Sequence, residues 1–82
     1  MMKVQVLFFS LLRDVTGAAE MPFEAPEGAT VGDLLGLLYQ RWPALRKWDG
    51  SLLLAVDQTY VKRDYPLHPT AEVAVMPPVQ GG

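Results

Sequence analysis

The first segment of the chain alternates between residues expected to be buried and residues expected to be exposed. From residue 3 to residue 9, one side of an extended backbone carries Val4, Val6 and Phe8. The other side carries Gln5, Leu7 and Phe9. A two-residue period is typical of a β-strand, so we predict a strand here with the Val4 side facing the core.

A second alternating segment follows a short break in this pattern. The intervening residues suit a short helical turn that begins at Ser10 and ends at Gly17, where a positive φ costs little. The alternating apolar residues that follow are Met21, Phe23 and Ala25. Because Pro22 cannot donate a ladder hydrogen bond, we place this second strand at a sheet edge or before a bulge.

The clearest predicted element is a helix in the middle of the chain. Thr30 is a suitable N-cap, and Asp33 completes an approximate capping box. Apolar residues then recur at helical spacing, namely Val31, Leu34, Leu35, Leu38, Tyr39 and Trp42. Pro43 ends the helix. Gly32 and Gly36 lower the helix propensity, and we expect them to let the helix approach the sheet closely.

The second half of the chain predicts three further strands. The nearly continuous apolar run from Ser51 to Val56 predicts a strand that is buried on both faces. We expect Leu45 and Trp48 to pack the loop before this strand against the core. After a turn at residues 57 and 58, the remaining strands are predicted at Tyr60-Val61 and at Glu72 to Met76.

These elements together predict the fold class. One helix packed across a mixed sheet of four or five strands buries both apolar sets. The sequence therefore predicts an α+β fold of the β-grasp, or ubiquitin-like, kind. We assign residues 1–76 to this domain and residues 77–82 to a flexible, extended C-terminal tail.

Composition limits the chemistry that the chain can perform by itself. Its 82 residues suit one small domain without a deep cleft between lobes. The absence of cysteine excludes thiolate nucleophiles and disulfides, and a single histidine excludes multi-histidine metal sites and the usual catalytic triads. We therefore predict no metal site and no bound cofactor.

Charge and hydropathy also exclude two classes of partner. Seven Lys and Arg residues against nine Asp and Glu residues, with no basic run, do not favour nucleic acid binding. No apolar stretch approaches the ~20 residues of a membrane span. Gln5 and Ser10 interrupt the first apolar run, so we do not interpret it as a secretory signal. We expect a cytoplasmic protein with no membrane partner.

The ionisable side chains show no catalytic pattern. The aspartates are dispersed over predicted turns and caps, at positions 14, 33, 49, 57 and 64. We interpret them as solvated turn residues. His68 lies between Leu67 and Pro69 in a predicted loop, and we interpret it as a surface histidine without a base partner. We therefore predict that the chain is not catalytic alone.

The C-terminal residues carry the most distinctive chemistry, and they are Pro77, Pro78, Val79, Gln80, Gly81 and Gly82. The two prolines end sheet pairing and favour an extended path, and the two glycines have no side chains to obstruct entry into a narrow channel. A carboxylate on Gly82 is a poor electrophile and must first be activated, for example as an acyl-adenylate. The chain shows no ATP-binding pattern, so a separate activating enzyme is expected. A tail without function is the alternative.

The sequence from Glu72 to Gly82 resembles the signature of the small subunit of molybdopterin synthase, the MoaD-type sulfur carriers. Further similarities are Leu7-Phe8-Phe9 with Arg13, Val56-Asp57-Gln58-Thr59, and residues 64–67. The similarity covers the whole chain. Two departures are Pro69-Thr70-Ala71-Glu72, where the family has Asp-Gly-Asp-Glu, and Val75-Met76, where it has an aromatic pair.

The resemblance implies a mechanism and a set of partners. An E1-like enzyme would use ATP to adenylate Gly82, and a sulfur donor system would replace AMP to leave a thiocarboxylate. The tail would then enter the large synthase subunit, within a hetero-oligomer, and donate sulfur to a pterin precursor to form molybdopterin. If Val73 and Val75 face the core, the residues expected at the partner interface are Ala74, Met76, Tyr60, Phe9 and Arg13.

Three other functions are compatible with these residues. A sulfur carrier for thiamine or tRNA thiolation would also end in Gly-Gly and use the same activation. A ubiquitin-like modifier would instead join Gly82 to lysines of other proteins through isopeptide bonds. The third is a β-grasp binding module whose tail has no function.

Overall fold

A mixed five-stranded sheet with one long helix across one face makes up the fold. The structure, a computed structural model, describes residues 1–78. In chain order the elements are β1 (Met2–Phe8), α1 (Leu11–Thr16), β2 (Glu20–Ala25), α2 (Val31–Arg41), a 3₁₀ segment (Pro43–Ser51), β3 (Leu53–Val56), β4 (Thr59–Tyr60) and β5 (Glu72–Met76). The strand order is β2-β1-β5-β3-β4, with β1 and β5 parallel and the other pairs antiparallel. The predicted α+β fold of the β-grasp kind is confirmed.

The core lies between the sheet and α2. The strand residues predicted to face inward are each 2% exposed or less, and they are Val4, Val6, Phe8, Val73 and Val75. Leu34, Leu35 and Leu38 of α2 are buried against them. The rings of Phe8 and Trp42 meet edge to face, with their centroids 5.5 Å apart. The strand with Pro22 is at the sheet edge, as predicted.

Two sets of hydrogen bonds fix the amino end of α2. The Thr30 hydroxyl accepts a hydrogen bond from the Asp33 N–H, and the Asp33 carboxylate accepts one from the Thr30 N–H. The predicted capping box is therefore confirmed. The Val31 N–H donates to the Tyr65 carbonyl at 2.9 Å, so the loop before β5 also satisfies a donor of the first turn.

The role expected of the two helix glycines was wrong. A Cβ added to Gly32 would lie 3.2 Å from the carbonyl oxygen of Arg63, which belongs to the loop before β5 and not to the sheet. A Cβ on Gly36 would have no heavy atom of residues 1–78 within 4 Å. Gly32 therefore permits a close approach of this loop to α2, whereas no other segment of residues 1–78 packs closely on Gly36.

The turn at α1 is confirmed at its end but not at its start. Gly17 ends α1 with φ 79°, as predicted. Ser10 precedes α1 with φ 53°, and its side chain makes no capping hydrogen bond. Its predicted role as a side-chain N-cap was therefore wrong.

Element boundaries in the second half differ from the prediction. The residues expected to form a loop are a 3₁₀ segment, so β3 begins at Leu53 and not at Ser51. Leu45 is buried and Trp48 packs against the core, as predicted. The second strand of this half is Thr59–Tyr60, because the turn at residues 57 and 58 brings Thr59 opposite Val56.

The last strand ends at Met76, as predicted, and Pro77 and Pro78 lie outside the strands. Val79, Gln80, Gly81 and Gly82 lie outside the described residues. The domain boundary after residue 76 and the extended tail therefore stay predictions. No helix within residues 1–78 has the length and apolarity to cross a membrane. In the same part of the chain, no three His, Cys, Asp or Glu side chains are grouped to hold a metal ion.

Candidate functional site

The sheet face that α2 does not cover carries a shallow, mostly apolar groove of about 300 Å³. We call it the outer groove. It is lined by Leu7, Phe9, Ala55, Gln58, Tyr60, Glu72, Ala74 and Met76. These residues come from all the strands except β2, from the residue after β1 and from the turn between β3 and β4.

The pairing register brings the groove residues together. Leu7 lies opposite Ala74, Ala74 lies opposite Ala55, and Ala55 lies opposite Tyr60. One row across four strands therefore has two alanines in the middle and a larger side chain at each end. The small side chains form the floor of the groove, and Leu7 and Tyr60 form its walls.

Large apolar side chains in the outer groove are open to solvent. Tyr60 is 72% exposed and Phe9 is 43% exposed. Met76 is partly exposed, and its flexible thioether can adapt to a partner surface. An exposed apolar patch that contains aromatic residues is typical of a protein-binding surface.

Four of the five residues predicted at the interface line the outer groove, namely Phe9, Tyr60, Ala74 and Met76. Arg13 lies on α1 and is not among the lining residues. The prediction did not include Leu7, although it shares the outward side of the first strand with Phe9. It also did not include Ala55, Gln58 and Glu72, whose place in the groove follows from strand register and from the turn.

The outer groove extends to the point where the predicted tail begins. Met76 is both the last residue of β5 and a lining residue of the groove, and Pro77 follows it directly. A protein that covers the groove would therefore contact the chain beside residues 77 and 78. The other residues predicted to enter a partner channel, and the activated Gly82, are outside the described residues.

Asp57, in the turn between β3 and β4, bonds to both β5 and the loop before β5 at the polar end of the outer groove. Its Oδ1 accepts the Glu72 N–H at 3.0 Å, and its Oδ2 lies 2.7 Å from His68 Nε2. The other ring nitrogen, His68 Nδ1, lies 2.9 Å from the Pro69 carbonyl oxygen. Asp57 is an exposed turn residue and His68 is a surface histidine, as predicted. The interpretation of His68 as a residue without a base partner was wrong.

Both groups of this pair have shifted pKa values. The hydrogen bond from the Glu72 N–H, and then the one from His68, hold the pKa of Asp57 below its usual value. The Pro69 carbonyl, and then Asp57, raise the pKa of His68. Each partner thus favours the charged form of the other.

Asp49 forms a separate network away from the outer groove. The Tyr39 hydroxyl donates to Asp49 Oδ1 at 2.6 Å, and Arg63 Nη1 donates to the same oxygen at 2.9 Å. Arg63 Nη2 also donates to the Asp49 carbonyl. Burial, and then the bond to Asp49, raise the pKa of Tyr39 to about 12. This network joins α2, the 3₁₀ segment and the loop before β5, and none of its residues lines the outer groove.

Sequence comparison relates the chain to known proteins over nearly its full length. Residues 6–82 match the ThiS family. The molybdopterin synthase sulfur carrier subunit of Escherichia coli (strain K12) is 41% identical over 81 residues, and the match covers 96% of this chain and 99% of that protein.

Two solved structures have the same fold. The putative molybdopterin converting factor, subunit 1 from Pyrococcus furiosus superposes with a TM-score of 0.87 at 32% identity, covering 96% of this chain and 100% of that one. The small archaeal modifier protein 1 from Methanosarcina acetivorans superposes with a TM-score of 0.83 at 28% identity, covering 100% of this chain and 98% of that one. The first is named for a converting factor and the second for a modifier, so the fold alone does not separate these two roles.

Proposed function

The chain belongs to the ThiS family, and from this premise we propose that it is the sulfur carrier subunit of a molybdopterin synthase. The observation that supports this role best is the outer groove, which lies beside the root of the Gly-Gly tail. A carrier has to present its end to other proteins, and an apolar surface next to that end provides a docking site for them.

The reactive group of the carrier is the α-carboxylate of Gly82. At neutral pH it is ionised and does not accept a nucleophile. An E1-like enzyme activates it: a carboxylate oxygen attacks the α-phosphorus of ATP, pyrophosphate leaves, and an acyl-adenylate forms. Sulfide from a donor system then attacks the acyl carbon as HS⁻ and AMP leaves, and loss of the remaining proton gives a thiocarboxylate on Gly82.

Transfer of the sulfur takes place in the large synthase subunit. The thiocarboxylate sulfur attacks an electrophilic carbon of the pterin precursor. A carbon–sulfur bond forms there while a carbon–oxygen bond to the same carbon breaks, and the oxygen leaves with the electron pair. Water then cleaves the bond between the acyl carbon and the sulfur, which restores the Gly82 carboxylate and leaves the sulfur on the pterin. The chain is in this scheme a reagent without a bound cofactor, and catalysis belongs to its partners in a hetero-oligomer.

The outer groove serves as the docking surface for the large subunit. Phe9, Tyr60 and Met76 offer apolar area, and the alanine floor allows a partner side chain to approach the sheet. Docking there directs residues 77–82 into the partner. The length of these six residues, roughly 20 Å when extended, is sufficient to reach an active site below the partner surface.

The proposal is tested by mass spectrometry and reconstitution. Incubation with the activating enzyme, ATP and a sulfur donor should increase the intact mass by the difference between sulfur and oxygen. Deletion of Gly82 should abolish this increase and the formation of molybdopterin, while binding to the large subunit persists. The matched control is Gln80→Ala, which changes the tail but keeps Gly82. Molybdopterin formation by the chain without Gly82 would overturn the proposal.

A protein modifier is the second candidate, because the chain also resembles the Methanosarcina acetivorans modifier protein. Its acyl-adenylate would pass to a lysine amine, so the products would be isopeptide conjugates. Immunoblots of cell extract under reducing conditions distinguish the two roles. Conjugates of higher mass that depend on Gly82, without restoration of molybdopterin synthesis, would establish the modifier.

A further inference from the structure

One wall of the outer groove has much less support than the others. β4 is only two residues long, lies at the sheet edge and, within the described part of the chain, pairs with β3 alone. It nevertheless provides Tyr60, and the turn before it provides Gln58. The opposite wall belongs to β1 and the floor to β5 and β3, and each of these strands has neighbours on both sides. The position of the β4 wall therefore depends on the turn that precedes it.

This turn has a backbone conformation that needs external support. Asp57 and Gln58 have φ values of 50° and 72°, in the left-handed region that non-glycine residues rarely occupy. Asp57 is bound twice to the first residue of β5. Its N–H donates to the Glu72 carbonyl at 2.9 Å, and its carboxylate accepts the Glu72 N–H. These bonds hold the turn in register with the central sheet.

His68 supplies a third connection, which depends on its protonation. Both ring nitrogens face oxygen acceptors, at 2.7 Å on Asp57 and at 2.9 Å on Pro69. A neutral imidazole has only one N–H and can satisfy only one of these oxygens, whereas the imidazolium donates to both. The protonated ring therefore satisfies both oxygens and adds a positive charge beside Asp57, whereas the neutral ring satisfies one of them.

We infer that Asp57 and His68 are a positioning pair for the outer groove: protonated His68 holds the turn that carries Gln58 and Tyr60, and loss of the proton weakens binding of the partner protein. The identity of that partner, the large synthase subunit, rests on the proposed function. The coupling between His68 and the groove wall does not depend on which partner binds, because all the residues involved belong to this chain.

Other charged groups near His68 do not replace this pairing. Glu72, on β5, contributes its N–H to Asp57, and Lys3, on β1, contributes its carbonyl, which accepts the Thr70 N–H at 2.9 Å. Within residues 1–78, neither the Glu72 carboxylate nor the Lys3 ammonium forms a hydrogen bond or ion pair with the ring. Asp57 is thus the charged partner of His68, and the raised pKa of His68 agrees with this arrangement.

The first experiment needs no partner. In an NMR titration of the full chain between about pH 5 and pH 9, the amide signals of Gln58 and Tyr60 should shift with the same midpoint as the His68 ring. Asp57→Asn keeps an acceptor for the Glu72 N–H but removes the charge, so the His68 midpoint should fall. Asp64→Asn, which removes a charge from the same loop without touching His68, should leave the midpoint unchanged. Identical midpoints in all three proteins would overturn the inference.

The second experiment measures affinity for the purified large subunit by calorimetry. For the wild type, the dissociation constant should rise about two- to fivefold from pH 5.5 to pH 8.5, the range that exposed ion pairs produce. His68→Gln cannot gain a charge, so its affinity should change less over the same pH range. Equal pH profiles for the two proteins would overturn the positioning role.

A third variant separates this inference from the proposed function. Met76→Asp places a charge in the outer groove away from the turn, and it should abolish binding at every pH. If Met76→Asp binds as tightly as the wild type, the groove is not the docking surface, and the docking step of the proposed function fails together with this inference. If Met76→Asp does not bind while the pH profiles of the wild type and His68→Gln coincide, only the positioning pair is refuted.

Discussion

Phe8 and Phe9 are adjacent in the chain and lie on opposite faces of the sheet. Phe8 is 2% exposed and packs edge to face on Trp42, whereas Phe9 is 43% exposed and lines the outer groove. The two side chains are identical, so the difference arises from the period of two in an extended backbone. The sheet therefore has two apolar faces, of which residues 1–78 cover only one.

The comparison of the two faces shows how a small chain forms a core and also keeps a binding surface. α2 is the one long helix in residues 1–78, and it covers a single face with residues such as Leu35 and Leu38. A sheet with one covered face usually has polar side chains on the other. Here Leu7, Ala74 and Met76 keep the second face apolar, which favours a partner protein over solvent.

The largest loss of stability should follow from truncation of a side chain on the face that α2 covers. Phe8→Ala should lower the free energy of unfolding by about 3–5 kcal/mol, because it removes buried area and leaves a cavity beside Trp42. That loss is a large part of the stability of a small domain. Urea unfolding followed by tryptophan fluorescence measures it. Phe9→Ala is the matched control, with an expected loss below about 1 kcal/mol, and similar losses for both variants would contradict the two-face comparison.

Phe9, which should contribute little to stability, should contribute strongly to binding. Phe9→Ala should weaken binding to the large subunit by about tenfold or more, as expected for an aromatic residue within a docking surface. Isothermal titration calorimetry measures the affinity. Leu11→Ala is the control, because Leu11 has the same exposed fraction as Phe9 but does not line the groove. An equal loss for Leu11→Ala would show that the outer groove has no special role.

Local patterns were sufficient to predict the two faces. The alternation in β5 predicted that Val73 and Val75 point inward and that Ala74 and Met76 point outward, and the structure confirms this. The capping box and spacing of α2 were equally informative, because helix periodicity and capping involve residues within a few positions of each other. The apolar residues of the groove within β1 and β5 follow from the same alternation.

Contacts between distant segments were not predictable in this way. Ala55 reaches the groove only through the register of β3 with β5, and His68 meets Asp57 only when the loop before β5 folds back onto the turn. The bonds of Asp49 to Tyr39 and Arg63 also join separate segments. The 3₁₀ segment was predicted as a loop, because its sequence contains Pro43 and Gly50, which are typical of turns.

Tyr39 lies on α2, the helix that covers the inner face of the sheet. Tyr39→Phe removes the hydroxyl that bonds to Asp49 and should cost about 0.5–1.5 kcal/mol of unfolding free energy, without a change in partner affinity. The pKa of Tyr39 is raised to about 12, so the folded state keeps a proton that the unfolded state loses near pH 10. Stability should therefore decline between pH 10 and pH 12.

Absorbance titration of tyrosine and urea unfolding at alkaline pH test this prediction. The titration step near pH 12 should be missing from Tyr39→Phe, and the alkaline decline in stability should be smaller. Tyr65→Phe is the control, because Tyr65 is exposed and its hydroxyl forms no hydrogen bond within residues 1–78. If Tyr65→Phe removes the same step, the assignment to Tyr39 is wrong.

The smallest expected effect on stability belongs to the pair beside the outer groove, because solvent screens His68 and Asp57. The raised pKa of His68 means that its contribution is fully present below its ordinary pKa of 6.5 and is lost as the pH rises through the folded value. The lowered pKa of Asp57 means that its contribution is present above 3.8 and is lost as the pH falls through the folded value. The urea concentration at the unfolding midpoint should therefore decline slightly below pH 3.8 and above pH 6.5. His68→Gln should flatten the decline above pH 6.5 and leave Asp57 its bond to the Glu72 N–H. An unchanged decline in this range would show that His68 does not couple to folding.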